Sequence, residues 1–450
     1  MTEKNNNRAH FVTRIGAVAT AAGSAVGLGN IWRFPYETGT HGGGAFIFLY
    51  IMFIMLIGVP VLCAEFIMGR QSRANEIDTF RKLAPGQKWY LAGYLGLAAS
   101  IMILSFYSVV AGWTMEYFYM SVTGALSVNA DKLHEMFGCF VSDFWRPLLW
   151  TLIFLGLNLL VIIRGVQKGI ERISNILMPM MLILLIVFCI NSLLLPNAAE
   201  GLSFMFKPDF SKIDSSTLLS AMGQAFFSLS IGLGCMMTYG SYFSPTTRLG
   251  RCAATTALLD TAIAILAGVI IFPAVFSYGI SPQAGPTLVF ETLPAIFINM
   301  KGGYLWASAF FALLFLASIT STISMSEITI AYLTEKKKMS RKKACCVVIG
   351  TACVLASLCS LSFGPLSSAT VCGLTVFNLF DYVASNLLLP IGGLIIAIFA
   401  GWRLDRRIVE KQMSNDGRHS VKLLKPLRFC LRYIAPAGIL LILLNSIGII

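Results

Sequence analysis

The sequence predicts an all-α membrane protein with about eleven transmembrane helices. The chain has 450 residues, of which 56% are hydrophobic and only 12% are charged. Apolar stretches of about 20 residues, the length that crosses a bilayer as a helix, recur along the whole chain. We place the spans at residues 13–37, 43–69, 89–122, 147–163, 172–195, 218–243, 253–279, 304–334, 344–362, 369–401 and 428–449. These spans leave no soluble domain, so we expect one transmembrane domain over residues 1–450.

The first predicted span contains a glycine cluster where an unbroken helix would be expected. From Gly23 to Pro35 it reads GSAVGLGNIWRFP, with Arg33 at membrane depth. Glycine weakens a helix, and backbone groups freed in lipid cost several kcal/mol each unless something satisfies them. We therefore expect the helix to break and to line a cavity, where free carbonyls can bind a cation and free N–H groups an anion. The segment is long and lacks a small-residue cleavage site, which argues against a signal peptide.

The sixth predicted span contains a second glycine cluster. It reads SLSIGLGCMMTYGSY from Ser228, with Gly232 and Gly234 among three serines. Two interrupted helices at matching positions of two five-helix halves indicate an inverted repeat with a central site. We expect the first repeat over about 13–195, the second over about 218–401, and an extra helix at about 428–449.

The basic residues predict the orientation of the chain in the membrane. If the N-terminus is cytoplasmic, cytoplasmic segments hold 28 of the 34 Lys and Arg residues, external segments hold five, and Arg33 lies within a span. This asymmetry follows the positive-inside rule. We therefore read the net charge of +13 as an orientation signal and a contact with membrane lipid, not as nucleic-acid binding. The spans show no nucleophile–base pair or metal-ligand cluster, so we do not expect an enzyme.

Several motifs resemble the neurotransmitter:sodium symporter family, in its bacterial LeuT-like branch of amino-acid transporters. They are GSAVGLGNIWRFPY from Gly23, HGGGAF from His41, SLSIGLG from Ser228 and TSTISMSE from Thr320. The resemblance extends over nearly the whole chain. It implies a LeuT-like fold, with a 5+5 inverted repeat and broken helices 1 and 6, and sodium-coupled symport by alternating access. It also implies a multi-pass protein of the bacterial cytoplasmic membrane.

The resemblance implies two sodium sites built from hard oxygen ligands. The first would use the carbonyl of Ala25 and the side chains of Asn30, Ser228 and Asp260, with the substrate carboxylate as the last ligand. The second would use the carbonyls of Gly23, Val26 and Ala317 and the hydroxyls of Thr320 and Ser321. Positions three and four residues past Ala317 share its face of the helix, as a single ion site requires.

The resemblance also implies a substrate pocket between the two breaks. The N–H groups near Leu28 and Gly29, with the hydroxyl of Tyr107, would hold a carboxylate. Carbonyls near Ser24, Phe227 and Ser230 would hold an amine. Side-chain specificity would come from Ile103, Tyr107, Phe227, Leu233, Ser321, Ser324 and Met325.

The identity of the substrate is inferred from the charge of this pocket. Family members that carry amines without a carboxylate have an acidic residue where this chain has Gly27. The substrate should therefore supply its own negative charge, and flexible Met325 in an apolar lining suits a hydrophobic or aromatic α-amino acid. The alternatives are another small zwitterion, such as a betaine or a GABA-like acid, or a non-transporting sensor of the same fold.

Asp260 departs from the family pattern, which usually has an amide at this position. An uncompensated carboxylate at this depth costs several kcal/mol. Members with a neutral residue here generally need chloride as the counter-charge, and a built-in acid can replace it. We therefore expect transport that is independent of chloride, with protonation of Asp260 on the empty return step.

The resemblance implies a gate on each side of the site. Arg33 and Asp381 would form an ion pair on the outer side, above Tyr107 and Phe227. On the inner side Arg8 would pair with Glu335, near Ser241 and Tyr242, and Glu327 would join this network. Phe11 occupies a position where the family often has tryptophan.

Overall fold

The computed structural model describes residues 10–126, 132–279, 289–298, 302–419 and 423–449. Within these ranges the regular structure is helical, apart from one isolated β-bridge between Val371 and Leu374. The prediction of an all-α membrane protein is confirmed.

Eight unbroken helices in the described part of the chain are long and apolar enough to cross a membrane. We call them span 2 (Gly44–Ser72), span 3 (Lys88–Thr123), span 5 (Val166–Leu193), span 7 (Leu249–Ser277), span 8 (Gly303–Lys336), span 9 (Arg341–Leu361), span 10 (Val376–Arg403) and span 11 (Leu424–Ser446). Span 1 is a bent pair, Arg14–Ala25 and Gly29–Thr40, with an angle of 55° between the two helices. Span 4 is Arg146–Ile162, which meets the short helix Leu133–Ser142 at 72°.

Span 6 is also broken, into the helices Ser215–Ser228 and Cys235–Gly240. The backbone between them turns through positive φ angles at Ser230 (51°), Gly232 (87°) and Gly234 (77°). Glycine reaches this region without the steric cost that a Cβ imposes, so the glycine cluster lets the chain leave the helix. Both predicted breaks are therefore present, and each of the eleven predicted spans has a helical counterpart.

Two predicted spans have different limits in the structure. Span 10 begins at Val376 instead of residue 369, because the chain first makes a turn with positive φ at Cys372 (52°) and Gly373 (78°). Span 5 begins at Val166, six residues before the predicted start, with a π-helical turn that leads into Arg172–Leu193. In both cases turn geometry displaced the boundary that hydropathy alone suggested.

The spans divide into a buried centre and a lipid-facing periphery. We compared the spans by the share of their most apolar 18 residues that is buried in the protein. This share is 78% in span 8 and 72% in spans 3 and 7, but only 33% in span 5 and 39% in span 11. The peripheral spans expose large apolar side chains such as Ile183 and Ile190. Lipid tails solvate such side chains as well as a protein interior does. The two broken spans pack against the buried group, so the breaks lie at the centre of the fold.

Gly69 in span 2 allows the inner half of span 6 to approach closely, because a Cβ at Gly69 would overlap the carbonyl group of Met237. We expect Gly69→Leu to lower the thermal unfolding temperature of the detergent-solubilised protein by several degrees, since overpacking costs about 1–3 kcal/mol. Gly350→Leu in span 9 is the control, because no other atom lies within 4 Å of a Cβ there. An equal shift in both variants would contradict this packing.

Candidate functional site

A small cavity of about 40 Å³ lies between the two breaks. It is lined by Ala25, Gly27, Gly29, Asn30, Ile103, Tyr107, Phe227, Ser228, Ser230, Leu233, Ser321, Met325 and Leu389. Most of the predicted substrate residues therefore surround one space, and Leu389 of span 10 is an addition that the sequence did not suggest. The volume is close to that of one water molecule, so an amino acid would enter only after lining side chains rotate.

One wall of this cavity carries a polar cluster from spans 1, 2, 6 and 7. Asn30 Nδ2 donates to Oδ1 of Asp260 at 2.8 Å and to the hydroxyl of Ser228 at 3.1 Å. The hydroxyls of Ser228 and Tyr50 both point to Oδ2 of Asp260, at 2.6 and 3.4 Å. Oδ1 of Asn30 accepts the N–H of Gly27 at 3.0 Å. The side-chain ligands predicted for the first sodium site are thus in direct contact, and Asp260 is completely buried among them.

The oxygens predicted for the second sodium site meet between spans 1 and 8. The hydroxyl of Thr320 donates to the carbonyl of Ala317 at 3.0 Å. Such back-bonding within a helix is ordinary for threonine. The hydroxyl of Ser321 makes a contact between spans, since it donates to the carbonyl of Val26 at 3.1 Å. A Cβ at Gly23 would lie 3.6 Å from Cβ of Thr320, so the first half of span 1 passes directly beside these hydroxyls.

Freed backbone groups at the first break meet side chains from neighbouring spans. The N–H of Leu28 donates to the hydroxyl of Tyr107 at 2.8 Å. The carbonyl of Gly29 accepts from Nε2 of Gln224 at 3.3 Å. A Cβ at Gly27 would lie 2.8 Å from both the Tyr107 and Ser321 hydroxyls, so this position has room only for glycine. The break therefore presents backbone polar atoms where the predicted carboxylate would bind.

Two predicted amine-binding or specificity positions are already occupied by internal hydrogen bonds. The carbonyl of Ser24 accepts from the hydroxyl of Ser230 at 3.3 Å. Ser324 is not among the cavity-lining residues, and its predicted contact with substrate stays a prediction. Its hydroxyl donates to the carbonyl of Thr320 at 2.9 Å and accepts from Tyr239 at 2.8 Å.

The break in span 6 is held by Glu65 of span 2, which is not among the predicted residues. Its Oε1 accepts the N–H of Gly232 at 2.8 Å and its Oε2 accepts the N–H of Met237 at 3.1 Å. The carboxylate is completely buried and connects the break itself, at Gly232, to the inner half-helix, at Met237. The signal in the sequence was available, because an acid inside a predicted span is functional by default.

The outer gate differs from the prediction. Arg33 forms an ion pair with Glu37 at 3.4 Å, and its guanidinium lies 4.9 Å from the centre of the Phe227 ring. Asp381 accepts from the hydroxyl of Ser385 at 2.8 Å. Arg33 and Asp381 are not paired in this conformation, because each group bonds to a partner one turn along its own helix, and their pairing in an outward-closed state stays a prediction. A cavity of about 370 Å³, which both Arg33 and Phe227 line, lies on this side of the site.

The inner side is closed by an aromatic cluster around Phe11. Its ring centre lies 5.9, 6.0 and 5.8 Å from those of Tyr239, Tyr242 and Phe243. The N–H of Phe11 also donates to the carbonyl of Tyr242 at 3.1 Å. Phe11 is 3% exposed, so phenylalanine fills the position where the family often has tryptophan.

The polar inner network is only partly as predicted. Tyr242 donates to Glu327 at 2.8 Å, and Glu327 forms an ion pair with Arg341 at 2.6 Å, so Glu327 does belong to this network. Glu335 accepts from the backbone N–H of Asn75 at 2.8 Å. Arg8 lies outside the described residues, and its pairing with Glu335 stays a prediction. The hydroxyl of Ser241 donates within its own turn, to the carbonyl of Thr238.

Comparison with known proteins agrees with this geometry. The family model for the sodium:neurotransmitter symporter family matches residues 8–140 and 142–449. The chain belongs to this family. Its membership makes it a multi-pass membrane transporter of the sodium-dependent symporter class rather than an enzyme.

Relatives and a solved structure extend this result. The chain is 39% identical over 441 residues to the uncharacterized sodium-dependent transporter YhdH of Bacillus subtilis, with 98% of each chain covered. It is 26% identical to the sodium- and chloride-dependent GABA transporter 2 of Mus musculus, covering 84% of this chain and 70% of the relative. The crystal structure of MhsT in complex with L-phenylalanine matches with a TM-score of 0.90 and 43% identity, covering 98% of this chain and all of MhsT. The LeuT-like fold class is thereby confirmed.

The bridge made by Glu65 gives a prediction for this transporter. In Glu65→Gln one of the two N–H groups of Gly232 and Met237 would face an amide NH₂ group and lose its acceptor. A buried donor without a partner costs about 1–3 kcal/mol, so the thermal unfolding temperature should fall by several degrees. Glu200→Gln, at an exposed position outside the spans, is the matched control and should leave it unchanged. Equal unfolding temperatures for the two variants would refute the bridging role.

Proposed function

We propose that this protein transports a hydrophobic or aromatic α-amino acid together with sodium, by alternating access and without chloride. The observation that carries the proposal is the contact of Asn30, Ser228 and Asp260 at the wall of the cavity between two broken helices. One carboxylate, one amide and one hydroxyl provide oxygen ligands and one negative charge. A monovalent cation would neutralise that charge, and a bound amino acid would add its own carboxylate beside it.

The substrate class is supported by the first break. The N–H of Leu28 and the hydroxyl of Tyr107 bond to each other now and can both turn to a substrate carboxylate. This chain has glycine at position 27, so no acidic side chain is present there to replace that carboxylate. The side-chain end of the cavity is apolar, with Ile103, Leu233, Met325 and Leu389. MhsT, which shares 43% of its sequence with this chain, binds L-phenylalanine. These points together favour an amino acid with a large apolar side chain.

We assign sodium to two sites, the Asn30–Asp260 cluster with the carbonyl of Ala25, and the oxygens shared by spans 1 and 8. The second set consists of Gly23, Val26, Ala317, Thr320 and Ser321. Two sodium ions with a zwitterion carry two charges inward, which yields about 4.6 kcal/mol per 100 mV and supports more than ~1,000-fold accumulation. If a proton returned outward on Asp260, the net charge moved per transport cycle would fall to about one. The dependence of uptake on membrane voltage therefore reports the stoichiometry.

Chloride independence follows from Asp260. The mammalian relative is named for its dependence on both sodium and chloride. In this chain the fixed carboxylate of Asp260 supplies the negative charge within hydrogen-bond distance of Asn30 and Ser228. A chloride ion bound beside the site would therefore be repelled by Asp260, and it is not needed to balance the charge of the sodium ion.

We propose that the protein lies in the cytoplasmic membrane of a bacterium with the N-terminus inside, and its two gates support alternating access. The external cavity beside Arg33 reaches Phe227, whereas the aromatic cluster around Phe11 closes the opposite side. We assign the outer closure to approach of Arg33 and Asp381 after their present local bonds break. We assign the inner closure to Tyr242 and Glu327, together with the pair of Arg8 and Glu335 that the resemblance implies.

Uptake into proteoliposomes tests this function. We expect an inward sodium gradient to drive uptake of labelled phenylalanine, leucine or tryptophan with gluconate as the only anion. Asp260→Asn should abolish uptake in gluconate, because the cation site loses its negative charge, and chloride should restore part of it. Glu410→Gln, at an exposed position, is the control. Sodium-driven uptake that wild type shows only with chloride would refute the role of Asp260, and no uptake with either anion would refute the amino-acid assignment.

A sodium-coupled carrier of a GABA-like zwitterion is the second candidate, favoured by the similarity to GABA transporter 2. In the same vesicles, unlabelled GABA or betaine should not compete with the labelled amino acid if the first assignment holds. Competition by either compound, with none by α-amino acids, would select this alternative.

A further inference from the structure

Glu76 has a buried carboxyl group with an unsatisfied oxygen. It is the first residue of the short helix Glu76–Leu83, which follows span 2. The residue is 3% exposed, and Oε2 has no hydrogen-bond partner. Burying an ionised carboxylate costs several kcal/mol without a partner. The N-terminus of its own helix offsets only about 1 kcal/mol of that. This group has no part in the sodium or substrate sites described above.

The carboxyl group of Glu76 lies directly against the hinge of span 6. A Cβ at Gly234 would overlap it, and so would a Cβ at Gly96 of span 3. Gly234 is the last residue of the break and has a φ of 77°, immediately before the inner half-helix Cys235–Gly240. The carboxyl group is therefore enclosed by two glycines that leave room for it. Its surroundings depend on where the inner half of span 6 lies.

The charged and titratable neighbours make the ionised form of Glu76 still less favourable. Glu65 of span 2 faces it, and burial together with the charge of Glu65 holds the pKa of Glu76 well above its usual range. Glu65 itself accepts two backbone N–H groups, whereas Oε2 of Glu76 accepts none. Two acids that share a buried site do not both ionise, and the one without donors takes the proton.

Among the residues that the structure describes, no basic side chain forms an ion pair or a hydrogen bond with Glu76. In span 6 the thiol of Cys235 follows Gly234 in the chain, and Glu335 of span 8 bonds to Asn75, the residue before Glu76. The basic residues of the short helix bond elsewhere: Arg81 pairs with Asp78, and Lys82 donates to the carbonyl of Ser72. Arg70 of span 2 bonds to Gln412 and Thr247.

We propose that Glu76 is a proton-binding site through which cytoplasmic pH controls the opening of the inner side. With the inner side closed, the carboxyl group is protonated and fits against Gly234. Cytoplasmic opening has to separate Phe11 from Tyr239, which the inner half of span 6 carries. That movement exposes Glu76, whose O–H bond breaks, and the proton passes to cytoplasmic water. Closing takes a proton from the same side, so no proton crosses the membrane.

The sign of the pH effect follows from the two states. The pKa of Glu76 is raised in the closed state, and in the open state water should return it towards about 4.3. The proton therefore stabilises the closed state fully below the open-state pKa, and this stabilisation is lost as pH rises through the closed-state pKa. Alkaline pH should favour opening, and acid should favour closure.

Alkylation of Cys235 in the purified full-length protein tests this proposal. Cys235 is 1% exposed and bonds to the hydroxyl of Ser24 at 3.1 Å, so a reagent should reach it only after the inner half of span 6 moves. We would follow its reaction with N-ethylmaleimide by residue-resolved mass spectrometry, in constant sodium without amino acid, between pH 6 and pH 8.5. Exposed Cys346 serves as the internal reference. Comparing variants at the same pH cancels the intrinsic pH dependence of the thiol.

The expected result is that the ratio of the wild-type rate to the Glu76→Gln rate rises at least about fivefold between pH 6 and pH 8.5, since one pKa unit is a tenfold change in equilibrium. Glu76→Ala should behave like Glu76→Gln, which covers the case that one variant does not fold. Asp78→Asn, on the same helix, should keep the wild-type response. Equal pH dependence in wild type and in the neutral variants would overturn the proposal. Because no substrate takes part, an error in the proposed function would not change this outcome.

Discussion

The structure depends on satisfying the backbone groups that two helix breaks set free inside a membrane protein. Each such group costs several kcal/mol in a medium without water, so a break persists only where other atoms bond to it. Glu65 satisfies one N–H group within the break in span 6 and one in the inner half-helix that follows it. Tyr107 and Gln224 satisfy groups at the break in span 1. The breaks are thereby fixed in place, and they remain chemically accessible from one shared cavity.

This arrangement explains why the ion and substrate sites adjoin. The carbonyls that leave span 1 lie beside the Asn30–Asp260 cluster on one side and the hydroxyls of span 8 on the other. The same hinges connect the site to both faces of the membrane, through Phe227 below Arg33 and through Tyr239 beside Phe11. A ligand that reorganises the breaks is therefore in contact with parts of both gates. Glu76 adds a titratable group behind the span 6 hinge, away from the ligands.

The sequence predicted the features that depend on composition and spacing. Apolar runs gave all eleven spans, and the glycines at 23–29 and 232–234 gave both breaks. The contact of Asn30 with Asp260 was predicted by resemblance to a family, since no periodic pattern connects residues so far apart. The sequence did not predict features in which several side chains compete to bond to the same group. Arg33 bonds to Glu37 instead of Asp381, because a partner one turn away needs no movement of another span. Glu76 was missed because its role depends on contacts with other elements that hydropathy does not encode, whereas Glu65 was missed although an acid inside a span is itself a signal.

The most direct test of the central claim is binding of labelled phenylalanine to the purified protein as a function of sodium, with phenylalaninamide as the competitor that lacks a carboxylate. If the substrate carboxylate completes the sodium site at Asn30 and Asp260, sodium should tighten phenylalanine binding at least about tenfold, as a coupling of 1–3 kcal/mol gives. Phenylalaninamide should compete weakly and with no sodium dependence. The account would be contradicted if phenylalanine bound equally tightly with and without sodium. It would also be contradicted if sodium tightened the binding of phenylalaninamide as much as that of phenylalanine.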